Sequence, residues 1–167
     1  MTDDDFLKRL GVSALGTRLR RLLERLNGPV TQLYRDELGF EQRWFALLQL
    51  LGDRGEVRMG EAASALGVSH VAIVHSVTEM TRKGLVEKRA DEADRRVSLI
   101  ALSDAGQDVL SRVRTVSRRV DMAAKALLEE AAPDFMTSLD RLDTALEAKG
   151  FAARIEAARK TEKENQI

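Results

Sequence analysis

The sequence predicts a mainly α-helical protein with a small β component (α+β): a helix-turn-helix, then a β-hairpin, framed by long helices at both ends. Three observations predict it. Apolar residues recur at spacings of three and four along most of the chain. A short Ala-rich helical stretch closed by glycine, MGEAASALG, is followed almost at once by a second helical pattern, HVAIVHSVTEMTRKG. Two β-type runs, LVEKR and RVSLIAL, then flank the polar, turn-prone ADEADR.

Taken in order, residues 13–27 set Leu15, Leu19, Leu22, Leu23 and Leu26 on one helical stripe, with Ser13 as its N-cap. Asn27-Gly28-Pro29 is expected to break or kink this helix, because proline lacks the amide hydrogen. Val30, Leu33, Tyr34 and Leu38 then resume the pattern. A second helix from about Glu41 to Asp53 buries Trp44, Leu47, Leu48 and Leu51, with Gly52 and Gly55 marking its end. The helix of residues 59–67 closes at Gly67, and Ser69 caps the next one. Ile73, Val77 and Met80 form that helix's packed face, and Gly84 ends it. The strands at 85–89 and 96–102 must pack on the helices, since a lone hairpin is marginal in water. Ser103 caps a long helix in which Val109, Val113, Val116, Val120, Ala124 and Leu127 repeat. Pro133 restarts the chain in another helix carrying Phe135, Leu139, Leu142 and Leu146. Beyond it the sequence is weakly amphipathic, then polar, and is expected to fray.

Composition narrows the function. There are no cysteines, which removes disulfides, thiolate catalysis and thiol-based sensing. The basic and acidic groups balance at 27 each, so a polyanion could be bound only through clustered cations. Residues 58–102 hold seven basic and six acidic groups, a modest +1. No secretory leader or membrane span is legible, and a soluble, cytoplasmic protein is expected.

Both of the chain's histidines fall in VSHVAIVHSV. With about 100° per residue, Ile73, Val77 and Met80 turn inward while Val71 and His75 point nearly opposite; His70 and Val74 lie on the flanks. A zinc site would want histidines four apart, whereas His70 and His75 are five apart and lack a third ligand, so no metal or other cofactor is expected. General-base work lacks a nucleophile or partner carboxylate. A helix-turn-helix with a hairpin can instead lay its second helix in the DNA major groove and its hairpin along the flanking backbone. Val71 and Val74 would then meet thymine methyls, and the imidazoles bases or phosphates. At the hairpin tip, Arg95 and Arg96 could enter a minor groove, with Asp94 holding one guanidinium in place; a solvated turn is the plainer reading.

The run from LGVSHVAIVHSV through KGLVEKRADEADRRVSLIALSDAG resembles the core of the MarR family of bacterial transcriptional regulators. The matching pieces are GVS before the second helix, KGLVEKR entering the hairpin, D-x-x-D-R-R at its tip, and LSDAG where the family has Leu-Thr-x-x-Gly. The segment EQRWFALLQLLGDRGEVRMGEAASALG resembles the family's preceding helices, and the likeness spans roughly 13–148. It implies a winged helix-turn-helix with long N- and C-terminal dimerisation helices: 1–40 and 103–167 interlocking between two copies, and 41–102 binding double-stranded DNA. It further implies a palindromic operator with half-sites about one helical turn apart, and repression.

By position, the resemblance places Ser69, His70, Ala72, Val74 and His75 on the DNA-reading part of the helix, with Val71 beside them. Arg96 matches the wing arginine and Asp94 the acid that orients it. The family often carries Thr, Arg or Lys where this chain has Ala72, His75 and His70, so its base contacts should differ. A small aromatic effector is implied too, for which Tyr34, Arg43 and Trp44 could line a crevice, although Trp44 also suits a core anchor. A protein-interaction module without specific DNA binding is the alternative. No enzymatic activity is expected, because no phosphate loop, triad or metal cluster appears, and no acetyltransferase domain of the kind fused to some relatives is legible.

Overall fold

The computed structural model describes residues 5–90 and 98–164. Its helices are α1 (Phe6–Arg9), α2 (Leu15–Leu38), α3 (Phe45–Arg54), α4 (Met59–Leu66), α5 (His70–Arg82), α6 (Asp104–Ala131), α7 (Phe135–Ala148) and α8 (Phe151–Glu164). Its strands are β1 (Val57–Arg58), β2 (Val86–Ala90) and β3 (Ser98–Leu102). Tight 3-10 turns at Gly11–Ala14 and Gln42–Trp44 precede α2 and α3. The chain forms two compact units that meet in sequence at Arg118 and Arg119.

In the first unit the sheet is antiparallel in the order β1-β3-β2. Val86 pairs with Leu102 and Ala90 with Ser98, while Val57 pairs with Ile100. The two-residue β1 escaped the sequence reading, because Val57-Arg58 is too short to show alternation. The core draws on every layer: Leu48 and Leu51 from α3, Val77 and Met80 from α5, Val86 and Ile100 from the sheet, and Val113 from α6 are all fully buried. Each such side chain contributes roughly 1.5–3 kcal/mol relative to exposure. Tyr34, Phe40, Trp44 and Phe45 gather into one cluster, with ring centroids 5.7–6.1 Å apart. That is more than half of the chain's aromatic rings, spent where α2 meets the turn before α3.

Three local expectations are corrected. The Asn27-Gly28-Pro29 step does not break the first long helix, because α2 runs through it to Leu38. Residues 21–29 are exposed, so water can serve the carbonyl that Pro29 leaves without a donor. The Gln42 side chain also braces the step: its amide donates to Asn27 Oδ1 at 3.1 Å and its carbonyl accepts from the Thr31 hydroxyl. Ser13 is not the cap of α2; it lies inside the 3-10 turn, and Ala14 takes the capping position without a side-chain bond. Gly52 does not end α3, which continues to Arg54 and closes at Gly55 with φ of 73°. Gly52 is instead where α6 comes close, and a Cβ there would collide with the Leu110 side chain. Arg114 seals the contact on α3, reaching Asp53 at 2.9 Å and Gln49 at 3.2 Å.

The predicted stripe on α6 is buried at Val113 and Val116, half-buried at Val109 and Val120, and open at Ala124 and Leu127. In the second unit, Arg154 on α8 donates to the Ala145 carbonyl at 2.5 Å and the Lys149 carbonyl at 2.9 Å, fastening α8 to the end of α7. The stretch read from sequence as a weakly amphipathic tail is thus helical to Glu164. Among the described residues, no helix is long and apolar enough to cross a membrane.

Candidate nucleic-acid interface

The interface is built on the α4–α5 corner. α4 is short, buries Ala62 and Ala63, and ends at Gly67 in the left-handed region, where a side chain would strain the backbone. Val68 donates to the Ala63 carbonyl at 3.1 Å, closing the turn. Ser69 then caps α5 as the sequence predicts, its Oγ accepting from the Ala72 amide at 3.2 Å. The inner face of α5 is sealed by Ile73, Val77 and Met80. The outer face is open: Ser69, His70, Val71, Ala72, Val74 and His75 are all exposed. Val71 is 77% exposed, an unusual position for a valine in a folded chain. The unsatisfied amides of the first turn add a partial positive charge beside it.

The rest of the first unit holds this helix in place. Ser103 links the turn after α5 to the start of α6, donating to the Gly84 carbonyl at 2.5 Å and accepting from the Gly106 amide at 3.0 Å. Gly106 permits the approach, since a Cβ there would strike the Leu85 carbonyl. On the hairpin, Arg89 of β2 is ion-paired to Glu56, just before β1. Asp94, Arg95 and Arg96, the predicted tip residues, lie outside the described residues.

One turn beyond His75 on α5 sits Glu79, which the sequence reading passed over. Its carboxylate is paired with Arg43 Nη2, at 2.9 Å from Oε1 and 2.8 Å from Oε2. It also accepts from the Trp44 indole at 3.2 Å, and His75 Nδ1 stands 3.7 Å from Oε2. The signal was present in sequence, because His75 and Glu79 are four apart on one helix. Its partners, 35 and 36 residues away, were not legible.

Of the three residues suggested for an effector, Tyr34 and Trp44 are 2% and 3% exposed and belong to the aromatic core. Arg43 is different. It lines a cavity of about 360 Å³ with Asn27, Thr31, Glu41 and Gln42. Among the described residues no group of three His, Asp or Glu could hold a metal ion.

Residues 38–97 match the profile of the MarR family, a stretch that takes in α3 to β2. No curated protein matches the sequence. Among solved structures, the PcaV transcriptional regulator from Streptomyces coelicolor, in complex with its natural ligand, superposes with a TM-score of 0.63 at 20% identity, covering 89% of this chain and 99% of that one. The transcriptional regulator BldR from Sulfolobus solfataricus gives 0.64 at 18% identity over 85% and 99% of the two chains. A mutant MarR from E. coli, complexed with operator DNA, gives 0.60 at 20% identity over 77% and 93%. At such identities the likeness to these structures is one of fold. Residues 38–97 thus resemble the MarR family in sequence, and the chain shares the fold of these solved transcriptional regulators.

Proposed function

We propose that this chain is a sequence-specific, double-stranded-DNA-binding transcriptional regulator, a repressor that acts in the cytoplasm as a homodimer on a palindromic operator. The observation that carries the reading is the two-sidedness of α5. Its inner face is packed to completion, yet Val71, Val74, His70 and His75 stand open on the outer face, at the end that meets base edges in helix-turn-helix proteins. The E. coli relative in the same fold is complexed with operator DNA. Arg96, oriented by Asp94, would enter the minor groove beside the wing while Arg95 meets the backbone.

Dimerisation is supported by apolar side chains that a single chain leaves uncovered. On α2 these are Leu15, Leu19, Leu22, Leu23 and Leu26; on α7 they are Leu139, Leu142 and Leu146. Two such stripes suit helices that interlock with a second copy. Two half-sites per dimer also offset the weak net charge of each winged region.

The effector in this reading is a small aromatic or phenolic molecule. PcaV is complexed with its natural ligand, and the cavity beside Arg43 offers a guanidinium at a polar opening. Trp44 lies beside it, the Arg43 guanidinium standing 5.8 Å from the indole centroid. No catalytic activity is proposed.

Binding of the purified chain to duplexes selected from a random-sequence pool tests the reading. The expected result is binding that weakens steeply with salt, because displaced counterions drive phosphate contacts. Absence of selection even in dilute buffer, or salt-independent retention, refutes it and favours a protein-interaction module.

A further inference from the structure

We infer that Glu79 positions His75 for base recognition, acting through that imidazole rather than touching DNA itself. The inference rests on the DNA-binding reading above. Glu79 occupies the C-terminal half of α5, one turn beyond His75, and its side chain is only 17% exposed. A carboxylate so enclosed needs compensation, and Arg43 supplies it from the turn before α3. The buried Trp44 needs an acceptor for its indole N–H, and Oε2 is that acceptor. These two donors fix the carboxylate from a different element, so it cannot follow His75 as the ring turns.

The same Oε2 faces His75 Nδ1 at 3.7 Å, a separation that a small ring rotation closes into a hydrogen bond. A carboxylate beside Nδ1 keeps the proton on that nitrogen and turns Nε2 outward. His75 is 67% exposed, so Nε2 meets the groove with its hydrogen-bonding role already set. A ring oriented beforehand loses less rotamer freedom on binding. Arg43 and Trp44 therefore reach the reading face indirectly, through one acid.

The test is a double-mutant cycle on DNA affinity, using a duplex selected by the unaltered chain. Glu79→Gln keeps the shape and an acceptor for Trp44 while removing the charge. It is expected to weaken binding by about five- to tenfold in the unaltered background, and by less than about twofold when His75→Ala is already present. A loss that persists undiminished with His75→Ala would mean Glu79 merely supports the fold, and overturns the inference. Should Glu79→Gln fail to fold, Glu79→Asp retains the charge but withdraws it from Nδ1, and the same cycle decides. Failure of the unaltered chain to select any duplex would strike the DNA-binding reading itself, a result distinct from an additive cycle.

Discussion

Gln42 donates to Asn27 Oδ1 at 3.1 Å while accepting from Thr31, so one side chain grips α2 on both sides of Pro29. The helix spans a sequence that ought to interrupt it, and it does so with outside help. Gln42→Ala removes both contacts at once. Amide exchange around residues 27–33 should then rise by roughly thirtyfold, consistent with two lost hydrogen bonds of about 1 kcal/mol each. Hydrogen-exchange mass spectrometry measures it; unchanged protection would mean that α2 tolerates the step unaided.

Ser69 holds the first turn of α5 through the Ala72 amide. Ser69→Ala should cost about 1 kcal/mol, a fall in Tm of roughly 2–4 °C, and should weaken DNA binding by more than the stability loss alone implies. Frayed first-turn residues would present His70 and Val71 in many orientations instead of one. Thermal melts and binding titrations on the same preparation separate the two effects.

The difference between Ser69 and Gln42 shows what a sequence discloses. Ser69 acts on residues three positions away, and so do the glycine at 67 and the inward stripe of Ile73, Val77 and Met80; all were legible because their partners sit in the same helix or turn. The antiparallel pairing of the two β runs and the cap at Ser103 were legible from neighbouring sequence too, and the buried side of α3 from its spacing, whereas the strand register was not. Gln42, Glu79 and Gly52 act across 11 to 58 residues of chain, on partners that only the fold brings near. Periodicity carries no information about such pairs. The continuity of α2 was misread because propensity argued for a break and the tertiary brace prevailed.

Asp5 links the start of the described chain to α2. The hydrogen bond from Arg21, at 2.6 Å, leads the effects that hold its carboxyl below the ordinary value, with the Leu7 amide adding to it. A depressed folded-state value means that the contact is complete above the ordinary carboxylate range, near pH 4, and is lost as pH falls through the folded-state value. Acidification below pH 4 should therefore release α1, seen as amide shifts of residues 6–9 in an NMR titration. Asp5→Asn should lack that transition and show the released shifts at neutral pH.

Leu19 and Leu23 lie on the open stripe of α2, at 45% and 55% exposure. If a second copy covers them, Leu19→Glu with Leu23→Glu places two carboxylates in an apolar interface, costing several kcal/mol. The dimer dissociation constant should then rise more than about a hundredfold, and sedimentation should find monomer at concentrations where the unaltered chain is dimeric. Unchanged sedimentation would move the interface away from this face.

Val71 projects an unshielded methyl pair from α5; if α5 enters the major groove as proposed, the natural apolar partner is the C5 methyl of thymine. The partner can be deleted from the DNA as well as from the protein. Replacing the contacted thymine by uracil removes one methyl, worth about 0.8 kcal/mol or roughly fourfold in affinity. Val71→Ala should weaken binding to the thymine duplex by a similar factor and should no longer distinguish thymine from uracil. Weakening without loss of that discrimination would assign the methyl contact to Val74, which is half as exposed and one helical turn nearer the centre of α5.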